Sequence, residues 1–159
     1  MNKCSAIYQT DFGAFEISHS EGKIISLCFV DSLSEDLYAS SIVNDKSDLT
    51  EKAFLQLQEY FRGQRRSFDL PLAPHGTEFQ KKVWRELCNI PYSQTRTYKE
   101  IAQAIGHPNA ARAVGMANNR NPIPIVIPCH RVVGANGSLV GYAYGLEIKK
   151  KLLTLEIVS

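Results

Sequence analysis

The sequence predicts an α+β fold with two domains, a small N-terminal sheet-plus-helix domain and a mainly helical C-terminal domain. Three observations predict this organisation. Strand-like alternation runs through the first 45 residues, helix-capping patterns recur after residue 47, and residues 63–76 carry two prolines without a regular period. We therefore place the domains at residues 1–70 and 75–159, with a linker between them.

The N-terminal strands are predicted from a period of two. Alternate apolar residues share a face in the stretches AFEIS and KIISLCFV, and Glu21–Gly22 is a suitable turn just before the second. The same-face sets are Phe15 with Ile17, and Ile25 with Leu27 and Phe29. A helix follows, with Asp48–Glu51 as its capping box and Gly63 just beyond its end.

Helical signals dominate the C-terminal half. Thr77–Gln80 is a capping box for FQKKVWRELC, and Thr97–Glu100 is another for the helix that ends before Gly106. Asn109 is the expected cap of a further short helix, AARAVGMAN. Two helices joined by a short turn containing glycine predict a helix-turn-helix unit.

Composition narrows the possible functions. The 159 residues carry a net charge of +2, and no apolar run approaches the roughly 20 residues that a membrane span needs. The N-terminus lacks the apolar core of a signal peptide, so we expect a cytoplasmic protein. Four cysteines are scattered without a C-x-x-C pair, which gives neither a zinc-ribbon nor a redox motif. We expect Cys28 and Cys88 to be small core residues.

Positive charge is concentrated in one part of the chain. Residues 95–146 contain five basic residues and a single acid, Glu100. This asymmetry fits a surface that binds an anionic polymer, or else a solvated surface of chance composition. The second helix of the helix-turn-helix unit is rich in alanine, with Arg112 as its one long polar side chain before the Asn pair. Such a helix favours sequence-tolerant docking in a widened minor groove, unless its alanines only pack against a neighbouring helix.

The stretch NPIPIVIPCHRVVG, residues 121–134, carries the most specific signal. Pro122, Pro124 and Pro128 exclude a helix and disfavour a central strand. They hold Cys129 rigidly in an apolar setting beside His130 and Arg131.

This stretch resembles the O6-alkylguanine-DNA alkyltransferases. The resemblance runs from FDLPL and TEFQKKVW through IPYSQTRTYKEIAQAIG and ARAVGMANNRNPIPIVIPCHRVVG to GYAYGLEIKKKLLTLE. It implies a ribonuclease H-like N-terminal domain and a winged-helix-like C-terminal core. It also implies a reaction in which a cysteine takes an alkyl group, mainly methyl, from O6 of guanine (or O4 of thymine) in DNA and keeps it, so that each molecule acts once. No cofactor is needed, and the implied partner of the monomeric protein is double-stranded DNA containing O6-alkylguanine.

The resemblance also assigns roles to residues. Cys129 is the nucleophile, and a water connects it to His130, which Glu156 orients. Tyr98 crowds the phosphate of the target nucleotide and hydrogen-bonds the guanine, while Asn121 ties the turn before the active-site segment. The alkyl and guanine pocket is implied for Pro124, Val132, Tyr142, Ala143, Tyr144 and Lys149. DNA contacts are implied for Tyr98, Ala111, Arg112, Asn118, Arg120 and Arg131, with Arg112 filling the space that the extruded base leaves.

Two departures from the family pattern stand out. Asn119 replaces a common glycine, and we expect it to tolerate a positive φ at this turn. Tyr144 also replaces a common glycine, and its ring would restrict bulky alkyl groups.

Three other functions compete with alkyl transfer. A non-catalytic sensor of alkylated DNA would lack Cys129, a transcriptional regulator would not need PCHR, and a cysteine hydrolase would not need the basic helix pair. Some relatives hold structural zinc in the N-terminal domain. We expect no metal here, because Cys4, His19, Cys28 and His75 form no recognised ligand spacing.

Overall fold

The computed structural model describes residues 3–30 and 45–159. The chain divides into two compact units, Met1–Pro74 and His75–Ser159. The strand-like alternation that we predict for residues 31–44 lies outside the described residues.

The first unit contains a three-stranded antiparallel sheet in the order β1-β2-β3. Its strands are β1 (Lys3–Thr10), β2 (Gly13–Ser20) and β3 (Lys23–Val30). The predicted turn between β2 and β3 is confirmed, because Glu21 and Gly22 both adopt positive φ, at 52° and 74°. Two such residues in succession match the twist of a tight hairpin.

A β-bulge changes the predicted face of β3. Ser18 pairs with Ser26 whereas His19 pairs with Ile24, so Ile25 is the extra residue. Ile24 and Leu27 are buried and Ile25 is only partly so. The prediction that Ile25 shares a face with Leu27 is wrong, because the bulge interrupts the alternation on which it rested.

Helix α1 (Asp48–Phe61) packs on this sheet. Ser47 and Thr50 form its capping box, one residue earlier than the predicted pair. Gly63 follows the helix with a φ of 72°, as expected of a residue just past a helix end. The face of α1 that meets the sheet contributes Leu57, Tyr60 and Phe61 to the core.

The segment after α1 is held against the first unit. The Gln56 side chain donates to the Asp69 carbonyl at 3.1 Å and accepts from the Asp69 N–H at 2.9 Å. Ile24 of β3 then exchanges backbone hydrogen bonds with Pro71 and Ala73, each 2.8 Å long. Residues 71–73, which we predict to be part of the linker, therefore pair with the edge strand of the sheet.

The second unit is mainly helical. Its helices are α2 (Glu78–Leu87), α3 (Tyr98–Ala104), α4 (Ala111–Asn119) and α5 (Leu146–Val158). A two-residue parallel ladder joins β4 (Arg96–Thr97) to β5 (Val132–Val133). Both predicted capping boxes form, at Thr77–Gln80 and Thr97–Glu100. The predicted Asn109 cap is wrong, because α4 begins after Ala110 without a side-chain cap.

Trp84 of α2 is at the centre of the second unit. It is 2% exposed, and its Nε1 donates to the Ala117 carbonyl of α4 at 2.9 Å. Val83, Ile101 and Val114 from the three helices complete this core. The ladder and the helix packing together fix where α3 begins relative to the segment after α4, where the predicted site residues lie.

The two cysteines that we expect in the core are at the surface. Cys28 and Cys88 are exposed, so the prediction that they are core residues is wrong.

Within the described ranges, no helix combines the length and the apolar character required to cross a membrane.

Candidate active site

Cys129, His130 and Arg131 form a single 3-10 turn that leads directly into β5. All three are buried, with Cys129 only 4% exposed. The turn brings the side chains of His130 and Arg131 to the same partner, the carboxylate of Glu156.

The proline-rich segment before this turn is held by Asn121. Its Nδ2 donates to the Ile127 carbonyl at 2.7 Å, and its Oδ1 accepts from the Ile123 N–H at 2.9 Å. Between these points Ile125 adopts a φ of 74°, which is unusual for a β-branched residue. Buried hydrogen bonds therefore hold this strained loop, which carries Pro124 and leads into the Cys129 turn.

His130 and Glu156 form a buried pair. The Nε2 atom of His130 lies 2.6 Å from Oε2 of Glu156, and neither side chain is exposed. The other carboxylate oxygen accepts the Ser93 N–H at 3.1 Å. Burial is the main reason that the pKa of His130 is lowered, and the nearby Glu156 only partly offsets it. His130 is therefore a neutral base at physiological pH.

Burial also raises the pKa of the Cys129 thiol. Hydrogen bonding to the side chains of Asn121 and Tyr142 and the charge of Lys149 act in the opposite direction. The pKa of Tyr142 is itself raised, first by burial and then by its proximity to Cys129. Tyr142 therefore keeps its proton, and its hydroxyl can donate a hydrogen bond to a developing Cys129 thiolate.

Lys149 is a fully buried lysine that connects two backbone segments. Its Nζ donates to the Val132 carbonyl at 2.6 Å and to the Val140 carbonyl at 3.1 Å. Burial lowers the pKa of Lys149. The Tyr98 hydroxyl donates to the same Val140 carbonyl at 3.0 Å. Val140 thus links the start of α3 to α5 at the rim of the site.

The rim also carries an aromatic pair. The Tyr144 ring packs edge-on against Tyr142, with centroids 5.9 Å apart and an interplanar angle of 64°. Tyr144 is partly exposed and Ala143 is exposed. The bulky Tyr144 side chain consequently lies next to Tyr142, whose hydroxyl is close enough to Cys129 for each group to shift the pKa of the other.

Comparison with known proteins identifies this arrangement. Residues 78–158 match the DNA-binding domain of 6-O-methylguanine DNA methyltransferases, and residues 4–74 match the ribonuclease-like domain of the same proteins. The chain belongs to this family. The resemblance seen in the sequence and the predicted fold class are confirmed.

Similar proteins cover from two thirds to almost all of the chain. The methylated-DNA–protein-cysteine methyltransferase of Methanosarcina acetivorans is 50% identical over 95% of this chain and 96% of its own. That of Methanosarcina barkeri is 66% identical over 66% of each chain. A crystal structure of Mycobacterium tuberculosis OGT in complex with DNA has a TM-score of 0.85 and 40% identity, covering 96% of this chain and 91% of its own.

Two residues that the methyltransferase resemblance placed at the DNA are buried instead. Asn118 is 1% exposed, and its Nδ2 donates to the Cys129 carbonyl at 3.2 Å. Arg131 is 7% exposed and paired with Glu156. Their assignment as DNA contacts is wrong, because both side chains point into the protein. Arg112 and Arg120 are exposed on α4 and at its end, and Ala111 is partly exposed.

The alanine-rich face of α4 can now be assigned. Ala117 is buried, whereas Ala113 is exposed and Ala111 is partly so. Packing against neighbouring helices therefore accounts for Ala117 but not for Ala111 and Ala113, which give the exposed side of α4 a slim surface.

The departure at Asn119 needs no special backbone conformation. Asn119 is the last residue of α4 and has no positive φ. The expectation of a positive φ at Asn119 is wrong. Its side chain lies near Gly141, at the same rim as Tyr98.

Sequence reasoning missed Ser93 and the carbonyl of Val140. Both act through backbone groups, so their side chains gave no signal. The described residues contain no group of three or more His, Cys, Asp or Glu side chains that could hold a metal ion. Cys4 and His19 are cross-strand neighbours, while Cys28 pairs with Glu16. The expectation that they hold no metal stays a prediction.

Proposed function

We propose that the protein transfers an alkyl group, mainly methyl, from O6 of guanine in double-stranded DNA to Sγ of Cys129. The observation that carries the proposal is the single buried turn in which Cys129 precedes His130, whose ring is held by Glu156 at 2.6 Å. Nucleophile, base and orienting carboxylate form the set that activates a weak nucleophile.

The reaction needs the thiolate, because the thiol is a poor nucleophile. His130 accepts the thiol proton through a bridging water, and Glu156 stabilises the imidazolium that forms. The sulfur then attacks the alkyl carbon in line with the C–O6 bond. A C–S bond forms, the bond between the alkyl carbon and O6 breaks, and its electron pair goes to the guanine. The guanine takes up a proton from solvent, and the His130 imidazolium returns the thiol proton to solvent through the bridging water.

Hydroxyl groups stabilise the charge that develops. The Tyr142 hydroxyl faces the sulfur, and Tyr98 at the rim donates to the departing guanine once it exchanges the Val140 carbonyl for the base. Such preorganised donors supply electrostatic stabilisation of the transition state. Pro124, Val132 and Lys149 form the walls around Cys129, and the loop containing Ala143 and Tyr144 closes the rim.

DNA docks on the exposed side of α4. The small Ala111 and Ala113 side chains allow close approach, and the exposed Arg112 fills the space that the flipped nucleotide leaves. Arg120 contacts the backbone nearby. Action as a monomer in the cytoplasm and reaction at O4 of thymine stay predictions from the sequence.

Titration of the protein with a duplex containing one O6-methylguanine tests this function. Restored guanine, measured by chromatography of the digested duplex, should plateau at one equivalent of protein. Cys129→Ser should restore none, and Cys88→Ser should behave as wild type because Cys88 is exposed at the end of α2. Restoration that continues beyond one equivalent would indicate a hydrolase, and binding without restoration would indicate a sensor.

A further inference from the structure

Arg131 has polar partners inside the protein that a side chain contacting DNA would not need. Its Nε donates to Oε1 of Glu156 at 2.9 Å and its Nη2 to Oε2 at 3.0 Å. Its Nη1 donates to the Ile90 carbonyl at 2.8 Å, and its guanidinium lies 5.6 Å from the ring centroid of Tyr92. Every nitrogen of this buried side chain therefore has a partner inside the protein.

The Glu156 carboxylate receives four N–H donors. Oε1 accepts from Arg131 and from the Ser93 backbone, and Oε2 accepts from Arg131 and His130. Two oxygens that accept four donors act as an ionised carboxylate, which has about four acceptor positions. The bidentate contact with Arg131 fixes the plane of this carboxylate and hence the direction from which His130 meets it.

The same contacts fix the turn that leads toward Tyr98. Arg131 and Glu156 between them satisfy the carbonyl of Ile90 and the N–H of Ser93, on either side of a turn in which Ser93 has a φ of 62°. The chain then enters β4, which pairs with β5 directly after Arg131. A change at Arg131 would therefore alter the orientation of His130 and Glu156. It would remove no contact with DNA, because the Arg131 side chain is buried.

We propose that Arg131 is a positioning residue for alkyl transfer, acting by holding the Glu156 carboxylate in the orientation that His130 requires. This inference rests on the proposed function of Cys129. It replaces the DNA contact that the sequence suggested for Arg131.

Charge gives the proposal a measurable signature. His130 is faced by Glu156 and Lys149 from α5, and by Arg131 and its neighbour Cys129 from its own turn. Arg131 also lies near the Cys88 thiol at the end of α2. The positive charge of Arg131 lowers the pKa of His130, in the same direction as burial. Removing that charge raises the pKa of His130, so the neutral base is lost at a higher pH.

The test compares Arg131→Gln and Arg131→Lys with wild type, and Arg85→Gln is the control for removing an exposed positive charge from the same unit. The methyl-transfer rate constant is measured as a function of pH on duplex containing O6-methylguanine. Binding to undamaged duplex is measured over a range of salt concentrations, and a melting curve establishes that each variant is folded.

We expect Arg131→Gln to slow transfer about tenfold to a hundredfold, by analogy with the loss when a partner that orients a metal-bound histidine is removed. The acidic limb of its pH profile should move to higher pH, and Arg131→Lys should return that limb toward wild type. DNA affinity and its salt dependence should equal those of wild type. Arg85→Gln should transfer at the wild-type rate with an unchanged profile.

Three outcomes would overturn the inference. They are an unchanged rate in Arg131→Gln, a slower rate without any shift of the acidic limb, and weaker DNA binding with a shallower salt dependence. If Arg131→Gln does not fold, the Arg131→Lys profile decides, since a lysine that transfers at the wild-type rate excludes a role for the bidentate contact. Failure of wild type to transfer would refute the proposed function instead.

Discussion

The Nε2 atom of His130 lies 2.6 Å from Oε2 of Glu156, and both side chains are completely buried. Because Nε2 faces the carboxylate, Nδ1 is the ring atom that receives the thiol proton in the proposed reaction. Burial keeps His130 neutral and raises the pKa of Cys129, so the resting site holds a thiol and a neutral base. The Cys129 thiolate therefore forms only when His130 takes the thiol proton, which occurs together with alkyl transfer in the proposed reaction.

The buried neutral state of His130 makes stability depend on pH. Its folded pKa lies below its unfolded value of about 6.5, so protonation favours the unfolded chain. The stabilisation is complete above that value and is lost as the pH falls below it. We expect the melting temperature to be nearly flat around pH 7.5 and to fall below about pH 6.5.

Scanning calorimetry of two histidine variants checks this assignment. His130→Gln should flatten the acid dependence, whereas His107→Gln should retain it, because His107 is exposed. Equal acid dependence in His130→Gln and wild type would assign the effect to other groups.

Tyr144 should restrict the alkyl group. Its ring packs on Tyr142 at the rim, where a benzyl substituent would need space. Steric exclusion of this kind costs about 1–3 kcal/mol, or roughly tenfold to a hundredfold in rate. We expect fast reaction with O6-methylguanine in DNA and slow reaction with O6-benzylguanine, and Tyr144→Gly should accelerate only the benzyl reaction. Equal benzyl rate constants in wild type and Tyr144→Gly would show that the ring excludes nothing.

Arg112 should matter only when a base has to leave the duplex. It is exposed on α4, where it can fill the vacated space. Arg112→Ala should slow repair of duplex DNA by at least about tenfold, equivalent to some 1.4 kcal/mol. Transfer from the free base should change little, as measured by parallel rate constants. Equal losses on both substrates would make Arg112 a general structural residue.

Lys149 should stabilise the pocket through backbone contacts. Lys149→Met removes the donors to the Val132 and Val140 carbonyls, and an unsatisfied buried acceptor costs about 1–3 kcal/mol. We expect a loss of that order in the free energy of unfolding, measured by urea denaturation, together with slower methyl transfer. Lys150→Met is the matched control, because Lys150 is the exposed neighbour on the same helix. Equal stability of the two variants would contradict the role of Lys149.

The parts of the fold that the sequence predicted correctly depend on local interactions. Thr77–Gln80 and Thr97–Glu100 close their capping boxes within four residues, and Glu21–Gly22 closes its turn within two. The bulge at Ile25 was not predictable, because it is a property of how two strands pair rather than of either strand alone.

The site residues also divide into those that the sequence identifies and those whose position depends on long-range packing. The identity of Cys129, His130 and Glu156 followed from the family resemblance, whereas the burial of Arg131 and Asn118 depends on packing that brings distant segments together. Arg131 is 25 residues from Glu156 and 41 from Ile90 in sequence. A basic residue in a basic stretch gave no sign of that pairing, and the charge pattern and the family resemblance both assigned it to the DNA-binding surface.

The mass of the intact protein after reaction with O6-methylguanine DNA, followed by peptide mapping, tests the central claim most directly. The proposed function predicts one added methyl group per molecule, located on Cys129, and no addition to Cys129→Ser. A methyl group mapped to the exposed Cys28 or Cys88, or to Cys4, would contradict the assignment of the nucleophile. Restored guanine with no change in the mass of the protein would contradict alkyl transfer itself.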